Sequence, residues 1–555
     1  MKHTPTHTRP RAYTLLYIYS MLLCACLHPQ PACAQNSSGF DVTRNLDVMA
    51  DIYRQLDMYY VDTLAADTVL RWAIDGMLSE VDPYTEFIPA DEQDEFRELA
   101  SGRYAGIGAA IRTRKADSLT VVTEPYEGCP AQKAGVRAGD VILSIDGKSI
   151  KGWPVNKVSE ALRGEAGTTF ELSIRRPGAK KPTALKIVRE NIQLPAVPWF
   201  GLVDEQKRIG YMYLSSVTDH CAREVRYALN ELKAQGMRTL IFDLRENTGG
   251  AVSQAVEIVG MFVPKGSLVV STKGKVPATC FEYQTPAEPI DTLMPIHVIV
   301  DGITASAAEI ISGALQDLDR ATIWGQRTYG KGLVQAIRDV PYRGQLKITT
   351  ARYYIPSGRC IQAYDYRHRT IDGAATALPD SLTREFHTRL GRPVRDGGGI
   401  LPDSILAIDS IPTMVSDLFY SDALFDYVTA YTLQHPAIDK PGRFSLTDAD
   451  YEAFADSIAH TDFKYNGRSA IVLEQLRQMT RIEGYTDAET TAAIQQLKQR
   501  LRQGDVRADL MRHRRHVQPY LEEEIVSRYY YQSGALQHQV ARDKDVRRII
   551  QQVTN

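Results

Sequence analysis

The spacing of hydrophobic positions changes three times along the chain, and each change predicts a different architecture. Leu46, Met49, Tyr53, Leu56 and Tyr60 recur at three- and four-residue steps, the period of an amphipathic helix. A second helix is expected from about Thr68 to Glu80, where Asp82-Pro83 stops it. After Gly102 the pattern shortens to β segments. Ser118–Thr123 is one, and Gly139–Gly147 is a strand closing in an Asp146-Gly147 turn. Val155–Arg163 reads as a short helix, and Phe170, Leu172 and Ile174 alternate as a last strand, which predicts a small α+β module.

From about residue 193 to 414, apolar strands alternate with helices. Thr239–Leu244 precedes Gly249-Gly250 and a helix from Val252 to Val263. Ile296–Val300 precedes Gly302 and a helix from Ser306 to Leu318. Such strand–glycine–helix units put chemistry at the strand C-termini, where helix N-termini present free amides. Beyond Met414 the chain reads as helical again. Thr486-x-x-Glu489 is a capping box opening a helix to about Leu501, and the helix Glu522–Gln532 is expected to end at Gly534 as its C′ glycine.

The N-terminus reads as an export signal. Lys2, Arg9 and Arg11 precede an apolar stretch, Ala12–Cys26, which is shorter than the roughly 20 residues a spanning helix needs. Pro29 and Pro31 then break any helix, and Ala32-Cys33-Ala34 offers a cleavage site before Gln35. A second reading takes Leu23-Cys24-Ala25-Cys26 as a lipobox that leaves a lipid tether on Cys26. Either way Cys129, Cys221, Cys280 and Cys360 remain, scattered thiols with no CxxC and room for one disulfide at most. The 555 residues suffice for three or four domains. With 65 Lys+Arg against 67 Asp+Glu, no bulk attraction to nucleic acid is expected.

Three motifs compete for the chemistry. Gly325-x-x-x-x-Gly330-Lys331-Gly332 looks like a phosphate loop. However, Gly332 stands where Ser or Thr would bind magnesium, and Leu333–Val340 reads as strand rather than helix. A Ser–His–Asp hydrolase lacks a Gly-x-Ser-x-Gly elbow, and His297 lies mid-strand as a core histidine. Ser306 and Lys331 fit best. Ser306 opens a helix, where the Ala307 N–H and one from Gly249 or Gly250 can face a developing oxyanion. Lys331 can act as general base if its pKa falls from ~10.4 to near ~7, roughly 4–5 kcal/mol of ammonium destabilisation. Gln335, four residues on, shares a face with Lys331 if both lie in one strand, and its amide would then orient the amine. The plain alternative is that Ser306 only caps its helix.

The runs Thr304–Ile310, Gly313–Asp317 and Gly325–Gln335 resemble the catalytic segment of the carboxyl-terminal processing (tail-specific) proteases. Asp243–Gly250, Thr350–Arg359 and Gly398–Asp403 are similar to their other core motifs, and Gly76-Met77-Leu78 with Asp82-Pro83-Tyr84 to their N-terminal region. Thr304, Ala308 and Thr248 depart from the residues common there, and none removes a catalytic group.

The resemblance implies an α/β and α+β multidomain chain: a ClpP/crotonase-like αβ protease core, an inserted PDZ domain, and helical N- and C-terminal regions. The expected divisions are signal peptide 1–34, N-terminal helical region 35–101, PDZ domain 102–192, protease core 193–415 and C-terminal helical domain 416–555.

It implies a serine endopeptidase that needs no cofactor or metal and cleaves exported or periplasmic polypeptides near free C-termini. Ser306 would be nucleophile, Lys331 base and Gln335 its orienting partner, with Gly249 and Ala307 as oxyanion donors. Tyr104, Gly106, Ile107 and Gly108 would hold the substrate carboxylate. Arg163 would couple peptide capture to the core or simply complement its helix dipole. The competing class is a catalytically silent PDZ scaffold in the cell envelope; a homo-oligomer is left open.

Overall fold

A computed structural model describes residues 37–370, 373–408, 410–465, 468–502 and 505–553. The expected signal segment, with Cys24, Cys26 and Cys33, lies outside them. The chain forms two compact units that divide after Glu80. In the first, helices span Ser37–Tyr59 and Ala66–Ser79, as the three- and four-residue spacing predicts. The stripe that should face a core instead faces solvent, with Leu46 60% and Met49 40% exposed.

In the second unit, a six-stranded sheet runs in the order Trp199–Asp204, Ile209–Tyr213, Thr239–Asp243, Ile296–Val300, Thr322–Gly325, Ser404–Ile405. Its first pair is antiparallel and the rest are parallel. Thr239–Asp243 is buried at every position, so its apolar run is that of a strand covered on both faces. Helices Cys221–Ala234, Val252–Val259 and Ala307–Asp317 bury Leu229, Val256 and Ile310 in one core with Phe242 and Val298. The opposite face packs Ile209, Ile241, Ile299 and Trp324 against Val546 and Ile549 of the helix Lys544–Val553. A second sheet is built around Gly344–Tyr354, which pairs with Leu333–Val340, Leu268–Gly274 and Glu86–Ile88.

The small module has its own sheet, in which Ala109–Thr113, Thr120–Pro125, Val141–Ile145, Thr169–Arg175 and Thr183–Val188 pair in that order. The Asp146-Gly147 turn takes φ of 48° and 74°, the two left-handed positions that a tight hairpin demands, and returns the chain as Lys148–Ser149. The helix Val155–Leu162 inserts Val158 and Leu162 into the module's core. Strands Arg103–Gly106 and Glu190–Gln193 pair where the chain enters and leaves.

Two helix boundaries differ from the sequence expectation. Asp487, not Thr486, caps the helix Ala488–Arg502, because its carboxylate accepts both the N–H and the hydroxyl proton of Thr490. Gly534 ends no helix. The helical stretch Arg514–Arg542 breaks earlier, at Tyr531 (φ 55°, ψ −166°), and Gly534 lies beyond that kink, where a Cβ would sit 2.2 Å from Tyr530 Cβ. Cys129, Cys221, Cys280 and Cys360 are all free thiols.

Candidate active site

Two loops at the C-terminal edge of the six-stranded sheet build the site, and Asp301 ties them together. Its Oδ1 accepts the N–H groups of Ile303 (3.0 Å) and Thr304 (2.8 Å), and its Oδ2 accepts the Glu246 N–H (3.0 Å). The Thr304 hydroxyl donates to Leu244 O at 2.9 Å, so the threonine standing in place of serine keeps the tie between the loops. Ser306 follows with φ 56° and ψ −119°, a conformation that costs a non-glycine residue of order 1–3 kcal/mol. The half-buried Ser306 thus sits on a strained strand-to-helix turn, the backbone setting in which nucleophile elbows are built. It arises here without the glycine-flanked motif that would have announced it.

Glu309 holds the strained turn in place, and sequence reasoning assigned it no role. It is fully buried, one turn into the helix that Ser306 opens. Its Oε2 accepts the N–H groups of both Ser306 (2.8 Å) and Lys331 (2.9 Å). Its Oε1 accepts from Gly330 N–H (2.7 Å) and the Thr328 hydroxyl (2.5 Å). The glycine-rich loop that resembled a phosphate cradle thus does bind an anion, the chain's own carboxylate. Burial lifts the Glu309 carboxyl to about 7, against the pull of these donors. The capping-box spacing Ser306-x-x-Glu309 was the available signal.

Tyr353 closes the arrangement from below. Its buried hydroxyl lies 2.5 Å from Lys331 O and 3.2 Å from Ser306 O. Ser306 and Lys331 are therefore brought together through their backbones, by one carboxylate and one phenol. The Lys331 ammonium lies 4.4 Å from the centroid of the Tyr84 ring. The Tyr84 hydroxyl in turn meets those of Tyr366 (3.1 Å) and Tyr329 (3.4 Å). Burial and the nearby Lys347 lower the Lys331 pKa from its usual value, while Glu309, Asp82 and Glu86 oppose them.

Gln335 is placed differently from the expectation. Lys331 precedes the strand Leu333–Val340, and the register shifts between Val334 and Gln335, so the even-offset rule does not join the two residues. The Gln335 amide donates to Thr349 Oγ1 at 3.1 Å. Gly249 fits where no other residue would. Its φ is 96°, and a Cβ there would lie 2.6 Å from Ala305 O and 2.7 Å from both Ala307 N and Ser306 Cβ. The Gly249 N–H donates to Asn247 Oδ1 at 2.9 Å. Ala307, by contrast, is the first residue of its helix, where N–H groups lack intrahelical partners.

At the small module, Tyr104, Ile107, Ala109, Ile111 and Leu162 line a cavity of about 530 Å³ together with Arg163. Gly106 closes the entering strand, and Gly108 takes φ 68° with no room for a side chain against Cys129. Arg163 is ion-paired to Glu98 (2.6 Å) and sits over the Tyr104 ring. His297, read as a core residue, accepts a hydrogen bond from Trp324 Nε1 at 3.0 Å.

An αβ core of this kind, with a peptide-binding type of module ahead of it and helices behind, is a multidomain αβ protease fold. Residues 208–368 match the family described as Peptidase family S41, residues 121–176 match a PDZ domain, and residues 414–551 match "Probable PDZ-protease, C-terminal helical domain". The chain is 34% identical over 352 residues to a carboxy-terminal-processing protease of Bartonella bacilliformis, covering 63% of this chain and 80% of that protein. It is 32% identical over 330 residues to a probable CtpA-like serine protease of Staphylococcus aureus, 59% of this chain and 65% of that one. Among solved structures, it is 27% identical to a photosystem II D1 C-terminal processing protease, with a TM-score of 0.34, 65% of this chain and 92% of that one covered. The chain belongs to the carboxy-terminal processing proteases of peptidase family S41, and it is a serine endopeptidase of that type.

The electrostatics of Lys331 set a pH expectation. As the general base proposed below, Lys331 would have to be neutral, so kcat/KM should rise with pH along a limb that reports loss of its proton. Lys347 disfavours the ammonium and is itself ion-paired to Glu86 at 2.7 Å. Lys347→Met removes a positive neighbour and frees a negative one. Both effects favour the charged lysine, so the acid limb should move to higher pH. A pH profile of kcat/KM that stays put or moves to lower pH would count against this.

Proposed function

We propose that this protease cuts polypeptides near their free C-termini with Ser306 as nucleophile and Lys331 as general base. Ala307 and Gly249 would supply the oxyanion donors and Gln335 a supporting contact. The observation that carries the reading is the shared Glu309 carboxylate, whose one oxygen accepts the backbone N–H groups of Ser306 and Lys331. No arrangement serving a helix cap alone needs a lysine loop on the same oxygen. In the reaction, Ser306 Oγ attacks the scissile carbonyl while Lys331 Nζ takes its proton. That step requires the two atoms within about 2.6–3.2 Å. The oxyanion then meets the Ala307 and Gly249 amides, which requires the Gly249 N–H to exchange its Asn247 partner for substrate. The intermediate collapses as the scissile C–N bond breaks and the Lys331 ammonium gives its proton to the departing amine. The neutral lysine then takes a proton from the water that hydrolyses the acyl-enzyme ester, and returns it to Ser306 Oγ.

Capture of the substrate tail is assigned to the module cavity. An extended peptide would add to the strand Ala109–Thr113, its carboxylate reaching the Tyr104–Gly108 backbone and its last side chain resting on Ile107 and Leu162. Arg163 lines that cavity, which supports a link between capture and core. The N-terminal sequence supports export to the periplasm or cell envelope with cleavage before Gln35, or a tether on Cys26. Among the described residues no helix is long and apolar enough to cross a membrane.

The test compares one peptide with a free C-terminus against the same peptide amidated. Amidation should raise KM or lower turnover several-fold. Equal cleavage of both would remove tail recognition from the module.

A further inference from the structure

The C-terminal helical region reaches the turn that carries Gly249, and a single arginine makes the connection. Arg245 follows the strand Thr239–Asp243 by two residues. Its Nε lies 3.0 and 2.9 Å from the two Asp243 carboxylate oxygens, and its backbone N–H donates to Asp243 Oδ1 at 3.0 Å. The Tyr211 hydroxyl fixes Asp243 from the sheet, at 2.7 Å. Nη2 bridges the two regions, donating to Asp243 Oδ2 and, at 2.7 Å, to Asp543 Oδ2, while Nη1 lies 3.8 Å from Asp545. Asp543 is fixed in turn, because its other oxygen accepts the N–H groups of Asp545 (2.7 Å) and Val546 (3.1 Å) at the start of the helix Lys544–Val553.

Beyond Arg245 the chain turns sharply. Glu246 has φ 61°, and Asn247 is buried. The Asn247 amide donates to Leu214 O, its side-chain oxygen accepts the Gly249 N–H, and its carbonyl accepts the Ala305 N–H. The turn that presents Gly249 to Ser306 is thus anchored upstream by Arg245. We propose that Asp543, acting through Arg245, is a positioning residue for this turn, so that the C-terminal helical region is a working part of the active site. The proposal rests on the reading of Ser306 as nucleophile and of Gly249 as an oxyanion donor. The Arg245–Asp543 pair is half-buried, with its side chains 26% and 11% exposed. Arg245 keeps Asp243 when Asp543 is neutralised, so the contact bears on geometry more than on stability. The bidentate arginine fork gives that geometry a direction. Adhesion of the helix to the sheet is already provided by Val546 and Ile549.

The experiment uses the full-length enzyme and four variants. Asp543→Asn keeps a good helix cap and the side-chain size while removing the charge. It should lower kcat about tenfold, a fraction of the loss expected on deleting an oxyanion donor outright. KM should stay within about twofold and thermal unfolding should be nearly unchanged. Affinity for a peptide aldehyde, whose adduct places an oxyanion in the site, should fall by the same factor as kcat. Asp543→Glu should recover part of the loss. Ile549→Ala should lower the unfolding temperature and leave kcat as in the parent. A wild-type kcat in Asp543→Asn, or an equal fall of kcat in Ile549→Ala, would overturn the proposal. Full activity in Ser306→Ala would overturn the reading beneath it, and a silent Ser306→Ala beside an unaffected Asp543→Asn would overturn the positioning role alone.

Discussion

Replacing Ser306 with alanine should lower kcat by about 10⁴–10⁶-fold with little change in substrate affinity, because nothing else in the site offers a nucleophile at that position. Lys331→Ala should cost nearly as much. Members of a catalytic unit are not additive, so the double variant should be little worse than either single one. Lys331→Arg should also be inactive, since a guanidinium keeps its proton at any working pH. Measuring kcat and KM for the four variants on one peptide checks the set. Additive losses, or an active Lys331→Arg enzyme, would assign the base elsewhere. All four proteins should unfold at similar temperatures, since Glu309 and Tyr353 hold the backbones of 306 and 331 rather than their side chains.

Glu309→Gln should be the most damaging substitution at a residue that never meets the substrate. Each Glu309 oxygen accepts two donors. An amide exchanges one oxygen for an NH₂ group, so either rotamer turns two acceptances into donor-against-donor contacts. Leaving buried donors without acceptors costs about 1–3 kcal/mol each. The unfolding free energy should therefore fall by a few kcal/mol. The turnover of the remaining folded enzyme should drop by about 10²-fold as the Ser306 turn relaxes. Denaturant unfolding and active-site-normalised kcat separate the two effects, and a variant with wild-type kcat would show that Ser306 keeps its strained φ without this carboxylate. The pH dependence has a sign as well. Burial raises the folded Glu309 pKa to about 7 above its ordinary 4.5, so the folded state binds the extra proton between those values. Its contribution to stability is fullest below about 4.5 and is lost as pH rises toward 7.

Much of this fold can be read from spacing alone. The strands 239–243 and 296–300 and the helix from Ala307 follow from apolar runs punctuated by glycine, because a sheet covered on both faces leaves no polar alternation to confuse. The strand Leu333–Val340 is read to the residue. What escapes is long-range. No local pattern tells that Glu309 receives the Gly330–Lys331 loop, that Tyr84 lies under the lysine, or that a bulge at Val334/Gln335 takes the glutamine to Thr349. Helix ends failed for a local reason: Thr486 and Asp487 are both good caps, and one residue of phase decides between them. Tyr531 breaks its helix with a residue that carries no breaking signal, against the neighbouring module where its hydroxyl accepts from Gln132.

The contact between Arg245 and Asp543 spans 298 residues, and that distance is also a delay. At roughly 5–20 residues per second, a ribosome makes the serine turn and its lysine loop well before Asp543, and Arg245 waits roughly 15–60 s for its partner. Until then Arg245 has only its Asp243 contacts. On the positioning role proposed above, an enzyme clipped short of residue 543 would keep Ser306 and Lys331 and lose the contact that aligns the Gly249 turn with them.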